Sequence, residues 1–214
     1  MARIRWKKDT VVSLRVKGGL WVLAQMLENP YLLFFDRFAA ERSWKRPPQP
    51  DEILFCCAVT RQFLKHADLH KEKLAGIEGY ERPLHWITEF HGGRELTVWP
   101  GTPHARKVRL LSSRPGGQLI IIRREDGHYV TEKPVIADIP FDDDETIDGH
   151  ELAVLWTFPL LNERLFLCHQ LGRVVDPGKD IQFERELPDA YRTFVDMLAY
   201  VGGPADWGYG DMAD

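Results

Sequence analysis

The sequence predicts a strand-rich α+β fold, either an antiparallel sheet or a small partly open barrel, with flanking helices and a C-terminal helix. Residues 10–16 alternate with period two and are rich in β-branched side chains, which indicates a half-buried strand. Residues 53–59 form a continuous apolar run, as in a strand that is buried on both faces. Near the C-terminus apolar residues recur at helical spacing: Phe194, Met197, Leu198 and Val201.

The N-terminal part of the chain predicts a three-stranded meander. Its elements are, in order, a strand over 10–16, a turn at Gly18-Gly19, a strand over 20–26 and a strand over 31–38. The third strand begins with an apolar run and is therefore expected in the centre of the sheet. After the buried strand over 53–59, Thr60 is a suitable N-cap for a helix that extends to about Leu69.

The second half of the chain predicts more short strands and two further helices. The strands are expected at 84–87, 95–99, 107–111, 119–123 and around Tyr129. Arg114-Pro-Gly-Gly117 joins two of them as a hairpin, and Gly92-Gly93 ends another segment. The helices are expected over 151–171, with Pro159 inside, and over 188–201. We predict a main domain over 1–171 and a C-terminal helical extension over 172–214 that packs on it.

Composition excludes several classes of protein. The chain has 28 Lys and Arg against 32 Asp and Glu, a formal charge of −4, which argues against a generally basic nucleic-acid binder. The longest run without a charged residue, 152–162, is about half of what a membrane-spanning helix needs, and the N-terminus lacks an apolar signal core. A cytoplasmic protein is expected. Its three cysteines form neither a disulfide framework nor a zinc motif.

The charge is distributed unevenly along the chain. Residues 96–124 contain six basic residues and no acid, whereas residues 134–163 contain eight acids and no Lys or Arg. A segment of +6 therefore precedes a segment of −8. Either solvated faces or a polarised binding surface can produce this pattern.

Signatures of catalysis are missing from the sequence. The nucleophile elbow, the phosphate-binding loop, the dinucleotide fingerprint and the metalloprotease helix are all absent. His66 and His70 are four residues apart on the predicted helix, where both could reach a zinc ion if a third ligand came from elsewhere. Asp68, between them, is expected to point away. We predict that the protein is not an enzyme and has no cofactor or metal.

An acidic run at 142–148 is the strongest candidate site. It does not match a calcium-binding EF-hand loop, because Ile147 and Ala153 stand where Gly and Glu are required. A solvated loop is the simplest interpretation, and a concentrated negative surface that steers a basic partner is the functional one. The candidate partner-binding residues are Asp142, Asp143, Asp144, Glu145 and Asp148.

Two further features of the sequence each allow two interpretations. The basic segment, with Trp99, Arg106, Lys107, Arg109 and Arg114, could bind nucleic acid through charge and stacking, or simply display arginines on a hairpin. Trp207 lies in a Gly-rich aromatic tail, residues 206–211, that is either docked on the domain or frayed. The other tryptophans that we expect in the core are Trp6, Trp21, Trp86 and Trp156.

The N-terminal two-thirds of the chain resembles a bacterial family catalogued as immunity protein 26, found beside polymorphic toxins. The resemblance lies in residues 6–14 (Trp-Lys-Lys-Asp-Thr-Val-Val-Ser-Leu) and 18–27 (Gly-Gly-Leu-Trp-Val-Leu-Ala-Gln-Met-Leu), and continues through the later strands to Pro83-Leu84. The chain departs from the family where Asp9 follows Lys8 directly and where Ala24 replaces a common glycine. These motifs are structural, and the family has no catalytic residues to carry over.

The resemblance implies a cytoplasmic protein that neutralises a cognate toxin by binding it and occluding its active site. Under this hypothesis residues 1–171 are an immunity-like domain, and the acidic run contacts the toxin. The alternatives are a nucleic-acid-binding module that uses residues 106–124 and a small metal-dependent enzyme. The sequence predicts no membrane partner and makes nucleic acid a less favoured one.

Overall fold

The computed structural model describes residues 4–210 of the chain, which form two compact units. Within that range unit 1 comprises residues 4–82, 155–175 and 202–210, and unit 2 comprises residues 83–154 and 176–201. Each unit takes chain from both sides of residue 171, where the sequence placed a domain boundary. That division of the chain stays a prediction.

Unit 1 is a curled six-stranded sheet with two helices. Its elements are β1 (Val11–Arg15), β2 (Trp21–Met26), β3 (Tyr31–Ala39), β4 (Ile53–Val59), α1 (Phe63–His66), β5 (Leu69–Lys71), β11 (Leu155–Trp156) and α3 (Leu160–Leu171). The strand order is β11-β4-β3-β2-β1-β5, and every pair is antiparallel except β11 with β4. As the sequence predicts, β3 lies in the interior of the sheet.

The central strands of the sheet in unit 1 contain runs of consecutive, mostly apolar residues that are buried on both faces of the sheet. The first four residues of β1 and the first five of β3 are all buried, and β4 is buried from Phe55 to Val59. Burial on both faces leaves these segments no solvent-exposed stripe, so the sheet must be covered on both sides. Ser13 and Gln25, the polar members, are buried and hydrogen-bonded.

Unit 2 contains two small sheets and three short helices. Its elements are β6 (His85–Thr88), β7 (His91–Val98), β8 (Arg106–Ser112), β9 (Gln118–Glu125), β10 (His128–Thr131), α2 (Asp144–Gly149), α4 (Pro177–Gln182) and α5 (Arg192–Leu198). One sheet has the order β10-β9-β6, and β7 pairs with β8 in the other. A cluster of buried apolar side chains forms part of the core: Ile87, Leu119, Ile139, Ile147, Leu152 and Phe183.

Several element boundaries expected from the sequence are wrong. The helix after Thr60 is only four residues long, and Leu69 already belongs to strand β5. The predicted helix over 151–171 begins only at Leu160, after a short strand and Pro159. Gly92-Gly93 does not end a segment, because both glycines lie within β7 at a shift in its pairing register with β8.

The predicted hairpin around Arg114-Pro-Gly-Gly117 is also wrong. Strands β8 and β9 flank this turn, but β8 pairs with β7, whereas β9 pairs with β6 and β10. The chain therefore leaves one sheet and enters the other at this turn. Gly117 permits that passage, because a Cβ there would lie 2.8 Å from Ile87 Cγ2 and 3.0 Å from Thr88 O.

The fold class predicted from the sequence is confirmed. The protein is a strand-rich α+β chain with mainly antiparallel sheets, flanking helices and a helix, α5, near the C-terminus. Within residues 4–210, no helix combines the length and apolar character needed to span a membrane.

Candidate partner-binding site

The acidic residues singled out in the sequence lie on or just before helix α2 of unit 2. Four of them are exposed: Asp142, Asp144, Glu145 and Asp148. The fifth, Asp143, is only partly exposed, and its Oδ1 accepts a hydrogen bond from the Thr146 backbone N–H at 3.0 Å. We call these five residues the acidic patch. The predicted solvated loop is therefore a capped helical turn that presents four carboxylates to solvent.

Helix α2 is fixed to unit 2 through its single buried side chain. Ile147 is fully buried in the core cluster described above. Phe141, just before the patch, is half-exposed and packs edge-on against Phe183 with 6.1 Å between the ring centroids. An aromatic side chain beside a charged rim is a common arrangement in protein interfaces.

Arg185 bridges two carboxylates of helix α2. Its guanidinium donates to Asp148 Oδ1 at 2.6 Å and also to Asp144 Oδ1, and it lies 3.5 Å from Asp180 Oδ1. Asp144 and Asp148 are four residues apart, so one cation can reach both. Sequence reasoning missed Arg185, because a separation of 37 and 41 residues carries no local signal.

The pKa values in this region follow from these contacts. Burial lowers the pKa of Arg185, but the hydrogen bonds and charges of Asp148 and Asp144 outweigh it, so the pKa lies above its usual value. Hydrogen bonds from Thr146 hold the pKa of Asp143 below its usual value. Burial raises the pKa of Asp180, against the hydrogen bond from Tyr191. One arginine against five acids leaves the patch negative.

Helix α4 and its N-cap, Asp176, place three buried polar side chains in hydrogen bonds within unit 2. Asp176 caps its N-terminus by accepting from the Lys179 N–H at 3.1 Å, and Lys179 Nζ donates to His150 O at 2.8 Å. Gln182 Nε2 donates to Ser112 Oγ, Arg114 O and Gly116 O at 3.0, 3.0 and 2.5 Å. Sequence reasoning missed this helix, although Asp176-Pro177 is a recognisable start signal.

The basic segment does not form an unpaired cationic surface. Four of its six basic residues form ion pairs: Arg106 with Asp196, Lys107 with Glu95, Arg114 with Asp138 and Arg123 with Glu132. Trp99 is half-buried and its Nε1 donates to Leu187 O at 3.0 Å. Of these ion pairs, only Arg114–Asp138 joins the basic segment to the acidic one. The alternative of a nucleic-acid-binding module stays a prediction.

The histidine pair does not occupy one helical face. His66 lies in α1 and His70 lies in strand β5, so the predicted zinc-binding geometry is wrong. Asp68 does not point away, because its Oδ1 is 2.8 Å from His70 Nε2. Among the side chains of residues 4–210, no cluster of three or more His, Cys, Asp or Glu could hold a metal ion.

A buried polar cluster in unit 1 was not anticipated. Glu163 is buried, both of its carboxylate oxygens lie 3.3 Å from Lys17 Nζ, and Tyr209 donates to it at 2.8 Å. Burial raises the pKa of Glu163 although Lys17 and Tyr209 oppose the shift, and burial beside this carboxylate raises the pKa of Tyr209. The sequence signal that could have revealed this cluster is Glu163 itself, a charged residue within the largely apolar segment that forms α3.

The tail around Trp207 is docked on unit 1 as far as the structure describes it. The Tyr209 side chain is fully buried and packs on Phe158, with 5.9 Å between the ring centroids. Of the four tryptophans expected in the core, Trp86 and Trp156 are buried, whereas Trp6 and Trp21 are only half-buried. The last residue of the predicted tail, Asp211, lies outside the described residues.

The fold and contacts define a strand-rich α+β protein of two compact units, one of which carries a negative surface on a capped helix. The chain belongs to the family described as a domain of unknown function, DUF8309, whose family model matches residues 1–185. No curated protein matches the chain, and no solved structure does.

Proposed function

We propose that the protein is a cytoplasmic immunity protein of a polymorphic-toxin system, a non-enzymatic protein that binds a cognate toxin and occludes its active site. The proposal takes its partner class from the resemblance to immunity protein 26. The observation that supports this choice of binding site is the acidic patch, in which four exposed carboxylates lie on one short, anchored segment.

The contacts around the patch support a binding surface prepared in advance. Ile147 fixes α2 in the core, Asp143 caps it and Arg185 bridges Asp144 and Asp148. Asp144 and Asp148, which Arg185 holds in place, lose little conformational entropy when a partner binds. Their charge attracts a basic partner before contact and raises the association rate, by about tenfold to a thousandfold at low salt.

The test uses a variant that removes charge from the patch and keeps the helix cap. Asp142→Asn, Asp144→Asn, Glu145→Gln and Asp148→Asn are combined, and Asp143 is retained. The probe is the C-terminal domain of a large secreted protein encoded beside this gene. We expect the wild type to bind it and protect cells from it, and we expect the variant to associate more slowly and with less salt dependence.

The control removes four exposed carboxylates elsewhere on the chain. Glu78→Gln, Glu81→Gln, Glu125→Gln and Asp126→Asn make the same change in net charge and leave the patch intact. We expect this control to bind at nearly the wild-type rate. Equal association rates for the patch variant and wild type would contradict the site, and failure of the wild-type protein to bind the probe would contradict the function.

A further inference from the structure

Three of the six described residues that line a cleft in unit 1 are cations. The cleft has a volume of about 550 Å³ and is bordered by Arg5, Trp6, Lys7, Thr10 and Lys71, together with Ile4. None of these six described residues carries a carboxylate. Clefts of roughly 300–1,000 Å³ are the usual size for small-molecule sites. The acidic patch belongs to unit 2, so this cleft is a separate feature.

Backbone and side-chain hydrogen bonds hold the N-terminal wall of the cleft in place. Trp6 Nε1 donates to Leu27 O at 2.9 Å, which fixes the half-buried indole. The Asp9 N–H donates to Met26 O at 2.7 Å, and the Thr10 N–H donates to Lys7 O at 3.2 Å. The segment that carries Arg5 and Lys7 is therefore tied to the end of strand β2.

Strand β5, which pairs with β1, contributes Lys71 to the lining of the cleft. Lys71 faces Val12 in the register of this pair, and the Glu72 N–H donates to Val11 O at 2.9 Å. These bonds place Lys71 beside the N-terminal segment and make it the third cation of the cleft.

The three cations form no ion pair within the described residues. Arg5, Lys7 and Lys71 are exposed, and the structure gives none of them an ion pair or hydrogen bond to a carboxylate. The neighbouring acid, Glu72, is engaged elsewhere, because it accepts from Ser13 Oγ at 2.5 Å and pairs with Arg42 Nε at 3.0 Å. Asp9 Oδ1 accepts from Gln25 Nε2 at 3.3 Å.

Like charges around one cleft repel each other unless an anion lies between them. Arginine and lysine bind phosphate through charge-assisted hydrogen bonds, and an indole offers a flat surface on which a base can stack. We propose that this cleft binds a small phosphate-bearing anion with the diphosphate chemistry of pyrophosphate or a nucleoside diphosphate. Arg5, Lys7 and Lys71 hold the phosphates, and Trp6 forms the wall beside them.

The test is isothermal titration calorimetry of the full chain with ADP, pyrophosphate and adenosine. We expect ADP and pyrophosphate to bind, with affinity that falls as salt rises, and we expect no heat from adenosine. Tighter binding of ADP than of pyrophosphate assigns the ligand to the nucleotides, and the reverse order assigns it to inorganic polyphosphates.

Three single variants, Arg5→Gln, Lys7→Gln and Lys71→Gln, each remove one cation. We expect each to weaken the binding of ADP or pyrophosphate by about tenfold, the effect of losing one charge-assisted hydrogen bond. Lys65→Gln removes an exposed lysine of the same unit that does not line the cleft and is expected to bind like the wild type.

Two results would overturn the proposal. One is the absence of binding of both ADP and pyrophosphate at millimolar concentrations, including the case in which only an oligonucleotide binds. The other is equal weakening by Lys65→Gln and by the three cleft variants. Circular dichroism of every variant separates loss of a ligand contact from loss of the fold.

Discussion

Glu163 joins three distant segments of the chain in the interior of unit 1. Its buried carboxylate lies 3.3 Å from Lys17 Nζ and accepts a hydrogen bond from Tyr209 at 2.8 Å. These three residues are far apart in sequence, so the contacts join the chain near β1, helix α3 and the tail. Burial of an ionised carboxylate is costly, and the net result is a pKa above the usual value.

Glu163 therefore makes stability depend on pH in a predictable direction. Between its usual pKa, near 4.5, and the higher pKa of the folded state, the folded protein holds more protons than the unfolded one. Stability from this group is full below pH 4.5 and falls as pH rises through the folded pKa, by at most about 1.4 kcal/mol per pH unit.

We expect Glu163→Gln to remove this component, because an amide does not titrate. Urea unfolding from about pH 4 to pH 8 measures the free energy of unfolding of the wild type minus that of the variant, which should decrease as pH rises. Glu145→Gln, an exposed glutamate changed in the same way, is the control. A wild-type-minus-Glu163→Gln difference that stays constant or increases with pH would show that burial does not dominate at this site.

At the scale of elements, helix α2 is too short to be stable by itself. It has six residues, whereas isolated helices of fewer than about 12 residues are marginal in water. Three contacts compensate for this: the Asp143 cap, the buried Ile147 and the Arg185 bridge. The shape of the acidic patch is therefore a property of unit 2 as a folded body.

The capping role of Asp143 predicts that mutations of two adjacent aspartates change stability by different amounts. Asp143→Ala removes the acceptor of the Thr146 N–H and is expected to reduce the free energy of unfolding by more than Asp142→Ala does. Asp142→Ala removes an exposed side chain and is expected to change it by less than about 0.5 kcal/mol. Chemical denaturation of both variants checks this, and equal effects would contradict the capping role.

At the scale of the whole molecule, chain segments distant in sequence complete each unit. Unit 1 takes in residues 202–210, whose Tyr209 is fully buried against Phe158 and bonded to Glu163. The tail is thus part of the core of unit 1. Without it, a buried carboxylate loses one of its two partners and an apolar site is emptied.

A chain that ends at Val201 is therefore expected to be less stable by about 3 kcal/mol or more, the usual effect of emptying a buried aromatic site. A chain that ends at Gly210 keeps every contact described for the tail and is the control. Thermal unfolding compares the two chains. If the shorter chain does not fold at all, Tyr209→Phe serves as a milder change, with an expected loss of about 1–3 kcal/mol. Equal stability of the two truncated chains would contradict the role of the tail.

A structural feature was predicted correctly when it depends on residues that are close together in the sequence, and wrongly when it depends on contacts between distant segments. The strands over 10–16 and 53–59 were predicted almost to the residue, because their pattern of polarity and burial is local. The partners of β8 and β9 were wrong, since the same turn can close a hairpin or pass the chain to another sheet. Likewise, His66 and His70 do not lie on one helical face, because His70 belongs to strand β5, which pairs with β1.

The candidate site divides in the same way. The acidic patch could be found from composition alone, because its residues are adjacent along the chain. The tertiary structure supplied the Arg185 bridge, the Ile147 anchor and the cationic cleft, which join segments tens of residues apart.

The sequence by itself determined the strand-rich α+β class and the local excess of acids, since both depend on neighbouring residues. Only the tertiary structure decided which strands pair and which charges form ion pairs. The physical reason is that hydrogen bonds, ion pairs and burial act through space, over distances that folding sets and chain separation does not.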